Sequence, residues 1–335
     1  MSENQGVVLR RRPVGLLQDD DVELVDLPMP EPPAGGCVVQ AEWLGIDATV
    51  RSWLNAGEGY FPAVEIGEVV RCSGSGTVVA TDSPERFPIG SVVTALTGWQ
   101  RFVALPDDGL ATNVGMAADV DQPAYLAVYG ATGLTAYVGI IDVGEVKAGE
   151  TVVVTAAAGA TGSIAAQIAK LLGARVIGVA GTDEKCRWLV DDLGLDGAVN
   201  HRTDDVHARL KELCPKRIDV FFDNVGGPVL DAALARLANG GRVVLCGAIS
   251  SYNDAHRPPG PANYLNLIQR RASMRGFLAL DHWGRYPEIL AHLQKWVADG
   301  QLRYRLHTYE GLDHAVEALN AMFTGENTGK IVIRL

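Results

Sequence analysis

The stretch TVVVTAAAGATGSIAAQIAK, residues 151–170, carries the sharpest chemical signal in the sequence. A strand of buried type runs into Ala157-Ala158-Gly159-Ala160-Thr161-Gly162 and then straight into an alanine-rich helical segment. Gly159 lets the backbone approach a pyrophosphate, Ala160 and Thr161 continue the turn, and Gly162 lets the helix pack close on the strand. The helix start presents N–H groups and the positive end of its dipole to an anion. Ala157 stands where the usual fingerprint opens on Gly, so the reading leans on the strand before the turn and the helix and strand after it. A tight turn with no ligand is the alternative.

The end of the next strand sets which nucleotide fits. An NAD site places Asp or Glu about 20 residues on, for the ribose 2′-hydroxyl. Here the strand closes Val179-Ala180-Gly181-Thr182 with no acid at its tip, and Lys185 and Arg187 follow. That charge suits a 2′-phosphate, so the expected cofactor is NADP(H). Lys185 as a solvated helix residue beside Asp183 or Glu184 is the competing reading.

Other catalytic patterns are missing. No histidine precedes His201, and Cys37 and Cys72 alone do not make a catalytic zinc site, so no metal is expected. There is no Gly-x-Ser-x-Gly elbow, no phosphate-loop Gly-Lys-Ser/Thr, and no Tyr followed four residues later by Lys. A bound cofactor then carries the hard chemistry, and the protein supplies binding and an electrophile.

Tyr252 falls just after a strand, at the carboxyl edge where open α/β sheets bind ligands. A phenol is protonated at neutral pH and donates to a carbonyl oxygen. Hydride addition to the β-carbon of an enone drives negative charge onto that oxygen, where a fixed donor stabilises it. Simple packing is the other reading of Tyr252. Trp99 is either a pocket wall or a β-barrel core residue. Asp47 and Arg51 are either a functional pair or a structural salt bridge. His256, in the Pro/Gly-rich loop 253–261, is either a lid residue or merely exposed.

Two kinds of sequence must position these groups. Short β-type runs dominate the first 120 residues (Val7–Leu9, Val22–Asp26, Cys37–Leu44, Gly67–Val70, Gly76–Ala80, Val92–Leu96), separated by Pro- and Gly-rich punctuation. They predict a mostly antiparallel β unit. From Gly149 strands alternate with helices. The strands are Thr151–Thr155, Arg175–Val179, Gly197–Val199, Ile218–Phe222, Arg242–Cys246 and Met274–Leu278. The helices are Thr161–Leu172, Asp183–Leu193, Asp204–Leu213, Val229–Leu237 and Ala262–Arg271. This predicts a doubly wound parallel sheet. After a helix near Tyr286–Asp299, the β run Lys330–Leu335 is expected to return to the first unit. The expected domains are 1–125, 126–299 for the cofactor, and 300–335 as the return.

Composition narrows the class. The chain has 335 residues, 47% of them apolar and 21% charged, which suits two folded domains rather than disorder. Twenty-nine basic against 40 acidic residues give a net charge of −11. Such a surface repels phosphate backbones and anionic lipid, so no nucleic-acid or membrane partner is expected. The uncharged runs Thr151–Ala169 and Gln122–Ile141 approach membrane length, but their Gly and Thr content reads as buried elements of a soluble protein. Five scattered cysteines without Cys-x-x-Cys spacing, and no secretion signal after Met1, point to the cytoplasm.

Several stretches together resemble one family, the zinc-free medium-chain dehydrogenase/reductases, in the branch of prostaglandin reductases, leukotriene B4 12-hydroxydehydrogenases and 2-alkenal reductases. They include Gly98-Trp99-Gln100, Gly133-Leu134-Thr135-Ala136-Tyr137, Ala156–Ser163, Asp183-Glu184-Lys185, Phe222-Asp223-Asn224-Val225-Gly226-Gly227, Cys246–Asn253, Arg275-Gly276-Phe277-Leu278 and Asn327-Thr328-Gly329-Lys330. The resemblance implies a Rossmann-type sheet plus a mostly β, GroES-like catalytic domain. It implies that the Gly159–Gly162 turn, Asn224, Cys246, Gly247, Ile249, Ser250, Tyr252, Phe277, Leu278, Ala279 and Asn327 line the NADP(H) site. Thr135 falls near the nicotinamide and Lys185 meets the 2′-phosphate. Trp99, Gln100 and Tyr252 fall on the substrate side. Two departures stand out. His201 occupies the place of a usual tyrosine, and the family's Asp-Pro-Tyr-x-Arg near the active site reads Asp47-Ala48-Thr49-Val50-Arg51.

The expected activity is NADPH-dependent reduction of the C=C bond of α,β-unsaturated aldehydes or ketones, without metal, by a homodimer. A quinone reductase and a non-catalytic NADPH-binding protein are the alternatives.

Overall fold

The structure is a computed structural model that describes residues 4–57, 59–254 and 258–335. By internal contacts the chain forms one unit from Met1–Ala127, Tyr252–Ala255 and Leu306–Leu335, and another from Val128–Ser251 and His256–Arg305. His256 itself lies outside the described residues.

The first unit is mainly β. Strands β1 (Gln5–Leu9) and β2 (Val22–Asp26) pair antiparallel. The long strand β3 (Cys37–Ile46) is the hub of a seven-stranded sheet with β4 (Ser73–Thr81), β5 (Ser91–Ala95), β6 (Phe102–Leu105) and β7 (Thr112–Met116). Residues Cys37–Gln40 of β3 pair with β6, while Trp43–Ile46 lie further along the strand. Helices α1 (Thr49–Trp53) and α2 (Gln122–Ala124) complete this part. The run Gly67–Val70 is not a strand: only Val69 bridges, to Val8.

The second unit opens with α3 (Ala131–Tyr137) and then alternates β8 (Thr151–Thr155), α4 (Ala160–Leu171), β9 (Arg175–Ala180), α5 (Asp183–Arg187), β10 (Gly197–Asn200), α6 (Val206–Leu213), β11 (Ile218–Asp223), α7 (Gly227–Leu234), β12 (Leu237–Leu245), α8 (Asn266–Arg270), β13 (Ser273–Gly276) and α9 (Tyr286–Ala298). The six strands are parallel in the order β10-β9-β8-β11-β12-β13, the order of a Rossmann sheet. All five residues of the central strand β8 are buried, as a strand covered on both faces requires. The helix expected over Asp183–Leu193 begins as α5 and continues as a wider π-helical turn over Trp188–Asp192, whereas two others are shorter than their sequences suggest. α7 stops at Leu234 and Leu237 already opens β12, while α8 spans only Asn266–Arg270 and ends where Arg271 turns left-handed at φ 51°.

The apolar segment Gln122–Val143 is long and apolar enough to cross a membrane, but 61% of its most apolar window is buried within the protein. Core helices pass the same test.

The chain then returns to the first unit through β14 (Leu306–Glu310), α10 (Ala315–Thr324) and β15 (Lys330–Arg334). β15 lies between β14, to which it is parallel, and β3, to which it is antiparallel. Its Ile331 and Ile333 enter the same core as Leu44, Ile46, Leu54 and Leu319. β14 was not legible in sequence, because its polar residues leave it half-buried at a sheet edge.

Asp47 and Arg51 do not pair. Arg51 is 2% exposed and donates to the carbonyls of Gly15 (3.0 Å) and Pro13 (3.1 Å) and to Asn55 Oδ1 (2.6 Å). Asp47 instead accepts from the Lys330 ammonium. Lys330 is the buried member, its side chain 1% exposed against 37% for Asp47. Removing the acid strands a charge in the core, whereas removing the lysine leaves a carboxylate that water reaches. Asp47→Asn should therefore cost roughly 3 kcal/mol and Lys330→Met only about 1. Urea unfolding of the two variants checks this, and the reverse order would show that the pair does not work this way.

Candidate functional site

The carboxyl edge of the parallel sheet gathers the groups expected to hold a nucleotide. β8 ends at Thr155, and Ala156 then adopts a left-handed φ of 46°, a conformation that strains a residue with a Cβ. Its carbonyl accepts from the Gly159 amide at 2.9 Å. Gly159 caps α4 in extended conformation, and no side chain caps the helix. A Cβ on Gly162 would stand 2.3 Å from the Ala156 oxygen, so only glycine lets α4 start this close to β8. The N-cap residue thus offers the first amides of α4 no side-chain acceptor, the arrangement that suits an anion.

Beside this turn, β11 ends in Asp223, which is fully buried. Its Oδ1 accepts from Thr155 Oγ1 (2.9 Å) and from the Val225 and Gly226 amides (3.0 Å each). Asn224 is fixed by the same knot: its amide donates to Thr155 Oγ1 and its Nδ2 to the Thr155 carbonyl, both at 2.7 Å. The following turn holds the loop after β12. Ile249 N donates to the Asn224 carbonyl (3.1 Å), and Ser250 Oγ donates to the Val225 carbonyl (2.6 Å). Cys246 and Gly247 donate their amides to the Asp223 carbonyl at 2.8 and 3.0 Å. Burial, reinforced by Asp223, pushes the Cys246 thiol up to about 12, so it is no nucleophile.

A basic cluster lies at the end of β9. Asn200 of β10 pairs with Ala180, and the His201 amide donates to the Ala180 carbonyl at 2.9 Å, so the chain after β10 folds beside Gly181. A Cβ on Gly181 would meet His201 Nε2 at 3.2 Å and Arg202 Nε at 3.4 Å. Thr182 caps α5 by accepting from the Lys185 amide at 3.2 Å. Asn200 Nδ2 donates to Asp183 Oδ1 at 2.7 Å. Burial lowers the Lys185 pKa, and repulsion from Arg202 lowers it further. Burial likewise lowers His201, followed by Arg202 and Lys185. Cations pressed together in this way are relieved by an anion. Arg202 escaped the sequence reading; a second basic residue directly after His201 was the available signal.

Thr135 lies on α3 with its hydroxyl donating to the Ala131 carbonyl at 2.7 Å. The Phe277 ring sits against Gly139 beside Phe222, Leu278 is exposed, and Ala279 opens a 3₁₀ turn. These share the second unit with the turn and the basic cluster, whereas Tyr252, Asn327, Trp99 and Gln100 belong to the first. Tyr252 directly follows the Ile249–Ser251 turn, Asn327 donates to the Gly329 carbonyl (3.1 Å), and Gln100 to that of Thr97 (2.8 Å). Trp99 needs correction as a substrate-side residue. It is 0% exposed within the core of Leu9, Leu44 and Val70, so the core reading holds.

The Asp223 knot yields a test. Thr155 Oγ1 and the Val225 amide meet Oδ1, and the Gly226 amide is shared between Oδ1 and Oδ2 (3.1 Å), so Asn can keep the Oδ1 bonds while Ala removes the acceptor of both amides. Asp223→Ala should lose about 3 kcal/mol or more of stability, and Asp223→Asn far less. Burial raises the Asp223 pKa in the fold. Its stabilising contribution is therefore complete below the unfolded carboxylate value and fades as pH rises through the raised one. Wild type should accordingly gain on the Asn variant as pH falls towards 4. Calorimetry across that range checks both, and equal losses in the two variants would refute the assignment.

Comparison with known proteins agrees with this architecture. Residues 5–112 match a family model described as the N-terminal domain of oxidoreductase, and residues 160–295 one described as zinc-binding dehydrogenase. The chain is 35% identical over 338 residues to the NADPH-dependent curcumin reductase of Escherichia coli, covering 99% of this chain and 97% of that protein. It is 34% identical over 336 residues to the NADP(+)-dependent 2-alkenal reductase of Nicotiana tabacum, covering 98% and 97%. The crystal structure of CurA from Vibrio vulnificus in complex with NADPH superposes with a TM-score of 0.92 at 35% identity, covering 98% of each chain. The zinc of the family description finds no ligand set here: among the described residues no three His, Cys, Asp or Glu converge. The chain belongs to the medium-chain dehydrogenase/reductase family, in the zinc-free branch of the prostaglandin reductases and 2-alkenal reductases.

Proposed function

We propose that this NADP-dependent oxidoreductase reduces the C=C bond of α,β-unsaturated aldehydes and ketones. The near full-length likeness to a curcumin reductase and a 2-alkenal reductase carries the reading. The cofactor is NADP(H), which supplies hydride to the β-carbon when bound. The uncapped start of α4 receives the pyrophosphate, and Lys185, Arg202 and His201 receive the 2′-phosphate. Asn224, with the loop Cys246–Ser250, positions the nicotinamide end beside Thr135. Tyr252 donates to the substrate carbonyl and stabilises the enolate, which takes its α-proton from water. The protein works in the cytoplasm, in keeping with its five free cysteines. It works as a homodimer through the β13 edge, which among the described residues pairs only with β12 and is accompanied by exposed Tyr264, Leu265 and Ile268.

Nucleotide choice is testable at the basic cluster. One charge-assisted contact is worth about 1.5–3 kcal/mol, so Lys185→Ala should weaken NADPH about 10- to 100-fold and leave NADH nearly unchanged. Burial, then Arg202 and Lys185 beside it, lower the His201 pKa, so this side chain becomes a further cation as pH falls. The NADPH-to-NADH affinity ratio should thus rise more in wild type than in His201→Gln as pH drops from about 7 to 5.5. Fluorescence titration reads all of these. Equal losses of both cofactors in Lys185→Ala would remove it as the discriminator.

The reaction itself predicts its product. Incubation of chelator-treated enzyme with NADPH and an enone should yield the saturated ketone with its carbonyl intact, and not the allylic alcohol. A quinone acceptor and an acceptor-free control belong in the same assay. Tyr252→Phe should lower turnover about 10²-fold while NADPH binding persists. An allylic alcohol would reject 1,4-addition, and an unchanged rate in the variant would remove Tyr252 from it.

A further inference from the structure

A parallel sheet starts all its strands at one edge, so residues just before each strand converge there however far apart they lie in sequence. In the second unit this amino edge, opposite the nucleotide turn, carries a row of cations. Arg175 opens β9, Lys216 and Arg217 precede β11, Arg236 precedes β12, and Arg270 and Arg271 precede β13. Strands β11, β12 and β13 are neighbours in that order, so Arg217, Arg236 and Arg270 stand at adjacent strand starts, spaced about 5 Å apart.

Backbone carbonyls and an amide hold these side chains. Arg217 N and Arg236 Nη2 both donate to the Cys214 carbonyl, at 2.9 and 2.8 Å. Arg217 Nη1 stands 3.5 Å from the Ala235 and Leu237 carbonyls, on either side of Arg236, and the Ile218 amide donates to the Arg236 carbonyl at 3.0 Å. Arg270 Nη1 lies 3.5 Å from Asn239 Oδ1, and Arg175 Nη2 donates to the Leu213 carbonyl at 3.1 Å. All of these acceptors are neutral. Among the described residues none of these arginines forms a salt bridge. Acids close by in the chain are engaged elsewhere: Asp219 accepts from the Thr151 amide at 2.8 Å, Glu212 pairs with Arg209, and Glu150 pairs with Arg242.

The row is costly to keep. Burial, followed by repulsion from Arg270 and Arg236, pushes the Arg217 pKa below the ordinary arginine value. Arg236 Nε is buried with no hydrogen-bond partner. Arg217 and Arg271 adopt left-handed φ of 78° and 51°, where glycine or asparagine is unstrained. Only two other non-glycine residues among the described ones do so, and one is Ala156 of the nucleotide turn. Positive charge is thus concentrated at strained positions in a chain whose net charge is −11. Each guanidinium carries more donors than these carbonyls use, and its planar fork matches phosphate oxygens.

We propose that the amino edge of the parallel sheet, from Arg217 through Arg236 to Arg270, is a second anion-binding site, separate from the nucleotide turn, for a ligand carrying a run of phosphate groups. The three strand starts span about 10 Å, so a single phosphate meets only part of the row, whereas a run of phosphates follows it. A nucleoside triphosphate and a free condensed phosphate share that chemistry. The proposal stands whatever substrate the enzyme reduces.

The test uses the full-length protein saturated with NADPH, so that the carboxyl edge is occupied, with inorganic triphosphate as the calorimetric probe. Wild type should bind one triphosphate per chain, and inorganic monophosphate at least about 10-fold more weakly. Arg217→Gly should weaken triphosphate about 10-fold or more yet melt no lower than wild type, since glycine relieves the left-handed strain. A merely structural arginine would instead lower the melting temperature. Arg270→Gln should weaken triphosphate similarly, whereas Lys185→Ala, at the other edge, should leave it within about twofold. Adenosine triphosphate that binds tighter than inorganic triphosphate would assign the ligand as a nucleotide, and equal or weaker binding as a condensed phosphate. Four results would overturn the proposal: no binding by wild type, equal binding of sulfate at matched ionic strength, unchanged binding in both Arg217→Gly and Arg270→Gln, or loss of the site when NADPH is added.

Discussion

One buried carboxylate holds the carboxyl edge of the parallel sheet together. Asp223 ties the end of β8, through Thr155, to the turn after β11, through the Val225 and Gly226 amides. That turn carries Asn224 and in turn anchors the loop after β12 at Ile249 and Ser250. Adjacent parallel strands have no hairpin to fix their ends, so side-chain knots of this kind set how the loops stand. The turn Ile249–Ser251 after β12 is therefore tied, through the Asn224–Val225 segment, to a buried carboxyl group. The hydrogen bonds of this knot gather on a carboxyl group whose charged form burial disfavours.

Electrostatics work at two scales here. The whole chain carries −11, which opposes a polyanionic nucleotide at long range. Against that field stand Lys185, His201 and Arg202, pressed together beside Gly181. Their mutual repulsion is tolerated because Asp183 and Asp204 anchor the neighbouring backbone and side chains through Asn200. A doubly charged phosphate would relieve such a cluster, whereas a single hydroxyl would give it little relief.

The parallel sheet was legible because its strands are short apolar runs spaced by helices, and the Gly159–Gly162 turn because steric demand leaves few residues a choice. The choice of NADP(H) was legible from the missing acid at the tip of β9. Arg202, although basic and next to His201, was passed over because its place beside Gly181 comes from how the chain folds after β10. Asp223 stood inside a recognised stretch, but its role needs the contact with Thr155, 68 residues away. Trp99 and the Asp47–Lys330 pair show the same limit: a Trp in a β run reads alike as wall or core, and a partner 283 residues distant leaves no local trace. The helix end misjudged at Leu234 and the helix start misjudged at Asn266 lie where turn geometry, not apolar spacing, bounds the helix.

The place of β15 between β14 and β3 bears on how the chain assembles during synthesis. β3 emerges from the ribosome at residues 37–46, but the strand it needs on one side arrives only at 330–334. The intervening Val128–Ser251 and His256–Arg305 belong to the other unit, which has its own core. The nucleotide-binding sheet can thus close while the first unit still shows an unpaired, apolar stretch of β3 to its surroundings. Vectorial synthesis leaves the β unit, not the Rossmann sheet, as the part most dependent on protection before it is complete.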